Sequence, residues 1–190
     1  CRWAARCQLP ACGLVGANAL IVAGAGHSVQ AMGNGATLFL SVAAGTSIGY
    51  FETVLGEQTP IVRAMPNTPS AVSRGSTAIV GNAQSTEAHL ALAEALLSSV
   101  GEVVRLDTEH QINAVTGLSG SGPAYVFHLI EAMAAAGEAQ GLAPDLAMRL
   151  ASATVSGPGE LAHPAPETAG QLRINVPSPG GTTAAGLAVW

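Results

Sequence analysis

Glu102-Val103-Val104-Arg105-Leu106-Asp107-Thr108-Glu109-His110-Gln111-Ile112-Asn113 is the stretch on which the fold turns. Its first five residues read as a short strand, and from Thr108 onward the apolar spacing becomes helical. Upstream, Thr37–Ala44 reads as a buried strand followed by a short helix through Tyr50, Phe51, Val54 and Leu55. Pro60–Ala64 is a strand running into the turn Met65-Pro66-Asn67-Thr68-Pro69, and Ser76–Gly81 is another strand. Ser85 can cap a helix whose apolar face is Leu92, Ala93, Leu96, Leu97 and Val100, closed by Gly101. Downstream, Pro123 suits the first turn of a helix to Gln140, ended by Gly141, and Pro144 opens another to about Ser156. Gly157–Pro166 reads as a loop, 167–175 as a short helix, and Thr182 onward as a last helix. The fold class is therefore α/β followed by all-α, with the boundary near Asp107–Thr108. Strands are expected near 38–43, 60–64, 77–81 and 102–106, and only helices after 108.

Composition narrows the function classes. Apolar residues make up 48% of the chain, enough for a real core, and charged residues only 10%. Lysine is absent, which removes a lysine Schiff base and a Walker-type phosphate lysine. Seven dispersed arginines and a net charge of −5 give no basic patch, so no nucleic-acid partner is expected. The three cysteines, at 1, 7 and 12, match neither a disulfide framework nor a zinc site, and no metal is expected. The histidines at 27, 89, 110, 128 and 163 show no ligand spacing.

The first 36 residues stand apart. Arg2 and Arg6 are their only charges, and the apolar run near Leu14–Ala25 loosely imitates a secretory leader. That run is shorter than the ~20 residues of a membrane span, and a cytoplasmic protein with no membrane partner is expected. Gly24-Ala25-Gly26-His27-Ser28-Val29 half-matches G-x-G-x-x-G. Its third position is Val29 and no acidic residue follows at the distance a ribose contact requires, so it reads as a decoy.

Two further segments carry the chemistry. Asn175-Val176-Pro177-Ser178-Pro179-Gly180-Gly181-Thr182-Thr183 places glycines and hydroxyls before an Ala-rich helical pattern, where backbone amides favour a small carboxylate. Ala114-Val115-Thr116-Gly117-Leu118-Ser119-Gly120-Ser121-Gly122-Pro123-Ala124-Tyr125 is a glycine-rich turn feeding a helix. Together, and in this order, they resemble the pyrroline-5-carboxylate reductases, over roughly residues 38–189.

The resemblance implies the C-terminal part of a Rossmann-like dinucleotide-binding domain at 37–107 and a helical dimerisation and substrate domain at 108–190, with 1–36 unmatched. It implies NAD(P)H-dependent reduction of 1-pyrroline-5-carboxylate to L-proline, with NADPH or NADH as cofactor and a homodimer or higher homo-oligomer as the assembly. Ser178, Gly180, Gly181 and Thr182 would hold the substrate carboxylate, and Thr183 would reach the ring nitrogen. Glu109 falls where the family has an acidic residue near the ring, and Thr116 would relay a proton through water. Ala43, Gly45, Asn67, Thr68 and Asn175 would line the cofactor.

Each assignment has a plainer rival. Gly45 would also end a strand, Asn67 between prolines would also form a turn, and Glu109 would also suit a helix N-terminus. The face of Ala132, Ala135, Ala136 and Ala139 permits close helix packing, as an intrachain core or, by resemblance, between subunits.

Three departures count against activity. The phosphate fingerprint is not found upstream of Ser41-Val42-Ala43-Ala44-Gly45, which reads as a partial chain that turns over poorly by itself. Pro177 stands where the family usually has a hydroxyl residue, and Asn113 where it often has Asp. The alternative is a non-catalytic helical dimerisation fragment that has lost its cofactor site.

Overall fold

The computed structural model describes residues 12–14 and 19–22 by backbone alone, Gly35, and residues 37–188. Among these, six strands form one sheet whose spatial order follows the chain: β1 (Cys12–Leu14), β2 (Ala19–Val22), β3 (Leu38–Ser41), β4 (Ile61–Met65), β5 (Gly75–Gly81) and β6 (Gly101–Arg105). β2, β3 and β4 are mutually parallel, with Leu20 opposite Phe39 and Phe39 opposite Ile61. β5 runs antiparallel to β4, and β6 parallel to β5. The four expected strands are present within a residue or two of their expected limits, and no strand follows β6 among the described residues.

β3 is buried at all four positions, as a parallel strand covered on both faces must be. Its side chains alternate between two cores. Phe39 joins Ile61, Ala78 and Val80 beneath helix α1 (Ile48–Leu55), which contributes Ile48, Phe51 and Leu55. Leu38 and Leu40 join Val62, Ala64 and Ile79 beneath helix α2 (Glu87–Leu97), which contributes Ala93. Burying one large side chain such as Phe39 is worth about 1.5–3 kcal/mol.

Local chemistry sets the helix ends. The Ser47 hydroxyl accepts the Tyr50 amide at 3.3 Å to start α1, and Gly56 closes it. Thr86, not Ser85, caps α2: it accepts the His89 amide, and its own amide donates to His89 Nδ1 at 3.2 Å. Ser85 sits one residue too early, and its hydroxyl donates instead to the Ile61 carbonyl at 2.9 Å. Arg105 ties β6 to α2 through Glu87 and Glu94, which in that order raise its pKa; the group is exposed and water screens the pair.

The sheet reaches into residues that the sequence left outside it, because β2 lies parallel beside β3. Ala19-Leu20-Ile21-Val22 has the length and β-branched content of a strand, and it was hidden inside a longer apolar run. Gly24-Ala25-Gly26 and any helix after it lie outside the described residues.

After β6 come α3 (Gln111–Val115), a π-helical turn (Thr116–Gly120), α4 (Gly122–Ala139), α5 (Pro144–Ala162), α6 (Ala169–Asn175) and α7 (Thr182–Leu187). Helix α5 continues past Ser156 to Ala162, so the expected loop at 157–166 is largely helix. Pro158 removes one donor from its ladder, but the ladder resumes, with the His163 amide reaching the Gly159 carbonyl at 3.3 Å. The chain divides into two compact units, residues 1–124 and 125–190. The second has a slight core, Ala134 of α4 against Ala147 and Ala151 of α5, with Ile130 and Met133 beside it. Ala132, Ala135, Ala136 and Ala139 are exposed, so the intrachain contact uses the opposite side of α4.

Gly101 lies opposite Gly75, and a β-carbon on Gly101 would overlap the Gly75 backbone. Gly45, by contrast, has a φ of +74° with nothing within 4 Å of where a β-carbon would stand. Gly101→Ala should therefore destabilise by about 3 kcal/mol through overpacking, and Gly45→Ala by only about 1 kcal/mol through its left-handed backbone. Urea denaturation midpoints rank the two, and an equal loss would contradict the steric reading of Gly101.

Candidate functional site

Parallel β3 and β4 point their carboxyl ends to the same edge of the sheet, the side on which open α/β sheets bind ligands. The loop after β3 carries Ala43 and Gly45; the loop after β4 carries Asn67 and Thr68. Ala43 is buried, and its amide donates to Ser41 Oγ at 3.2 Å. Gly45 owes its identity here to its left-handed turn, since the space beside it is open.

Glu109 precedes α3. Its carboxylate accepts from Arg63 Nη1 at 2.6 Å and from the Ile48 amide, at the start of α1, at 2.8 Å. The N-terminal placement considered for Glu109 is thus realised at another helix, far away in sequence. Arg63 is 9% exposed and stands in an otherwise apolar strand. The sequence reading passed over it, although a lone charge in Ile61-Val62-Arg63-Ala64-Met65 is the signal that a buried partner exists.

Asn67 is engaged at both ends of its amide. Nδ2 donates to the Ser119 carbonyl at 3.0 Å, and Oδ1 accepts the Ser76 amide at 2.9 Å. Ser119 belongs to the π turn, whose i→i+5 bond runs from the Ser121 amide to the Thr116 carbonyl at 2.8 Å. Such turns are rare and concentrate at functional sites. The Thr116 hydroxyl donates to the Ile112 carbonyl at 2.7 Å, leaving its lone pairs to face outward as acceptors. Thr68 opens the short 3-10 helix Thr68–Val72 and is exposed.

The remaining candidates lie in the second unit. Asn175 ends α6, and its Oδ1 accepts from Gln171 Nε2 at 2.8 Å. The chain then turns through Ser178, Gly180 (φ +70°) and Gly181, with the Gly181 amide donating to the Ser178 carbonyl at 3.0 Å. A β-carbon on Gly181 would stand 2.8 Å from Ser178 Oγ, so that hydroxyl occupies space a side chain would need. Thr182 opens α7, and Thr183 is half-buried within its first turn. The structure brings Asn67 to the π turn of Thr116, and Ser178 to Gly181. Among the described residues no cluster of His, Cys, Asp or Glu could hold a metal ion, and no helix is long and apolar enough to cross a membrane.

An α/β sheet with loops at one edge, followed by helices that carry a folded Ser-Pro-Gly-Gly-Thr-Thr turn, defines a chain of one sheet module and one helical module. Residues 109–190 match the family described as pyrroline-5-carboxylate reductase dimerisation. The chain is 44% identical over 150 residues to a pyrroline-5-carboxylate reductase of Pseudomonas aeruginosa, covering 79% of this chain and 55% of the relative. It is 45% identical over 152 residues to that of Synechocystis, covering 80% and 56%. Among solved structures it is similar to a pyrroline-5-carboxylate reductase from Coxiella burnetii, with a TM-score of 0.81, 38% identity, and 86% of this chain and 61% of that one covered. A Plasmodium falciparum pyrroline carboxylate reductase with NADP bound gives a TM-score of 0.71 at 33% identity, covering 80% and 61%. Over residues 109–190 the chain is similar to the dimerisation region of the pyrroline-5-carboxylate reductases, and it spans about half the length of the curated relatives it matches.

Removing Glu109 would strand the Arg63 guanidinium in a buried strand. Glu109→Ala should cost about 2–4 kcal/mol, less than a fully buried pair because Glu109 keeps some contact with water. Glu109→Gln with Arg63→Met should recover most of that loss, because Gln still accepts the Ile48 amide and no charge is left unpaired. Urea unfolding of the parent and both variants measures this; a double variant as unstable as Glu109→Ala would refute the ion-pair account.

Proposed function

We propose that this chain is part of an NAD(P)H-dependent reductase converting 1-pyrroline-5-carboxylate to L-proline, in proline biosynthesis, and that these residues alone turn over poorly. The observation that carries the reading is the folded turn Ser178–Thr183, present with its close Ser178–Gly181 contact inside the matched region 109–190. The substrate is a cyclic imine bearing one carboxylate. Its reduction requires hydride at the imine carbon, a proton at nitrogen and a grip on the carboxylate. The amides of Gly180, Gly181 and Thr182 with the Ser178 hydroxyl would grip the carboxylate, and the Thr183 hydroxyl would address the ring nitrogen. Thr116, its proton committed to the Ile112 carbonyl, would hold a water by its lone pairs. Glu109, tied to Arg63 and Ile48, would act near the ring chiefly as a fixed negative charge.

The cofactor, NADPH or NADH, would supply the hydride. The residues present fit its nicotinamide end: the open space at Gly45 and the turn at Asn67–Thr68 lie on the ligand-binding edge of parallel β3 and β4. By resemblance, Ala43 and Asn175 would also contact the cofactor. The reading carries a cytoplasmic location with it.

A homo-oligomer belongs to the same proposal. The second unit buries little beyond three alanines, while Tyr125, Phe127, Leu150 and Leu161 are exposed, at 64%, 60%, 49% and 62%. A helical unit with so small a core gains stability by covering such a surface with another copy.

Three measurements test these statements. Steady-state kinetics with pyrroline-5-carboxylate and each nicotinamide cofactor should show Thr183→Ala lowering kcat about tenfold or more, since the lost hydrogen bond matters most where charge changes. In direct binding of L-proline, Pro177→Thr should strengthen the complex by about 1–3 kcal/mol through a restored hydroxyl and amide donor. An unchanged kcat in Thr183→Ala would remove its role. Sedimentation should give a dimer or larger species, with Phe127→Glu shifting it toward monomer; a monomeric parent would remove the proposed assembly.

A further inference from the structure

We propose that Asn67 is a positioning residue: its side-chain amide holds the Thr116–Gly120 turn in π-helical form and so sets where the Thr116 hydroxyl stands. The inference rests on the reading above, in which Thr116 serves the substrate ring. A five-residue π turn is poor in its own hydrogen bonding, and rare backbone forms persist only where the surroundings over-determine them. Two internal bonds help: Thr116 Oγ1 to the Ile112 carbonyl at 2.7 Å, and Ser119 Oγ to the Val115 carbonyl at 3.2 Å. Both are local and would be equally available to an ordinary α-helix, so neither selects the π form.

The selection comes from the end of β4 and the loop after it, at two points. Asn67 Nδ2 donates to the Ser119 carbonyl, inside the turn. Its amide cannot rotate to do otherwise, because Oδ1 is held by the Ser76 amide of β5, and a flipped group would set donor against donor. The second point is Met65, whose Cε would lie 3.1 Å from a β-carbon on Gly120. Gly120 therefore leaves room for the Met65 methyl, and the turn packs closely on the end of β4. The turn is shaped from the sheet side, through a residue whose amide plane is fixed by the sheet.

Amide hydrogen exchange on the 190-residue chain reads the turn directly, through the Ser121 amide that closes the i→i+5 bond. Asn67→Asp keeps the acceptor for Ser76 but sets oxygen against the Ser119 carbonyl; Asn67→Ala removes both bonds. In both, Ser121 protection should fall about tenfold or more while the Phe39 amide, bonded to the Pro60 carbonyl, keeps its protection. Gly120→Ala should weaken Ser121 in the same way, and Met65→Ala added to it should restore protection. Should the Asn67 variants lose Phe39 protection as well, the Gly120 and Met65 pair decides, and unchanged Ser121 exchange in Gly120→Ala overturns the proposal.

Kinetics provide the second readout. A positioning role predicts that Asn67→Asp lowers kcat about tenfold together with the loss of Ser121 protection. A raised cofactor KM with intact Ser121 protection would show a direct cofactor contact instead and overturn the proposal. Where the parent turns over too slowly to measure, the exchange result alone decides the role of Asn67.

Discussion

β3 and β4 are buried on both faces, and most of the first unit follows from that constraint. Strands covered on two sides carry continuous apolar runs, so polar groups are pushed to their ends. Loops therefore collect at the carboxyl edge, where Ala43, Gly45, Asn67 and Thr68 stand. The one charge inside these strands, Arg63, cannot remain alone there. Its partner arrives from the segment after β6, as Glu109, and the same carboxylate also satisfies the first turn of α1. Sheet burial thus dictates how the start of the helical segment is tied down.

The second unit obeys a different rule. Its helices meet through alanine and glycine, with Gly137 close enough that a β-carbon there would stand 3.3 Å from Ala147 Cβ. Small residues allow close approach but remove little apolar area from water, so each such contact contributes little. Large side chains such as Phe127 and Leu161 are left on the outside. The helices are specified by caps and spacing, while their stability depends on what covers them.

Much of this was legible in the residues, and the failures have definite causes. β3 through β6 were readable because apolar runs of strand length are bounded by turn formers, as at Pro60 and Gly101. β2 was missed because its four residues sit inside a longer apolar stretch. The end of α5 was misplaced because Gly157-Pro158-Gly159 has the composition of a loop, while a helix bordered by good formers tolerates one lost donor. Of the two readings left open for the face of Ala132, Ala135, Ala136 and Ala139, the intrachain core is not realised, because α4 packs through Ala134 and leaves that face exposed. In the candidate site, the glycine and hydroxyl motifs were visible, but how they are held was not. The bonds of Asn67 to Ser119 and of Glu109 to Ile48 join residues 52 and 61 positions apart, and no local pattern encodes them.

The contact between Gly75 and Gly101 bears on how variation in this chain would be interpreted. A side chain on Gly101 would overlap the backbone of Gly75, and one on Gly75 would meet Ser70 and the Val100 carbonyl. Two sites 26 residues apart in the chain are thereby locked to the smallest residue, Gly101 by the Gly75 backbone and Gly75 by Ser70 and the Val100 carbonyl. In a mutational scan they would stand out as an intolerant doublet, as severe as any ligand contact. That intolerance would report the flush start of two neighbouring strands, and mapping it as a binding signature would draw attention to the wrong part of the molecule.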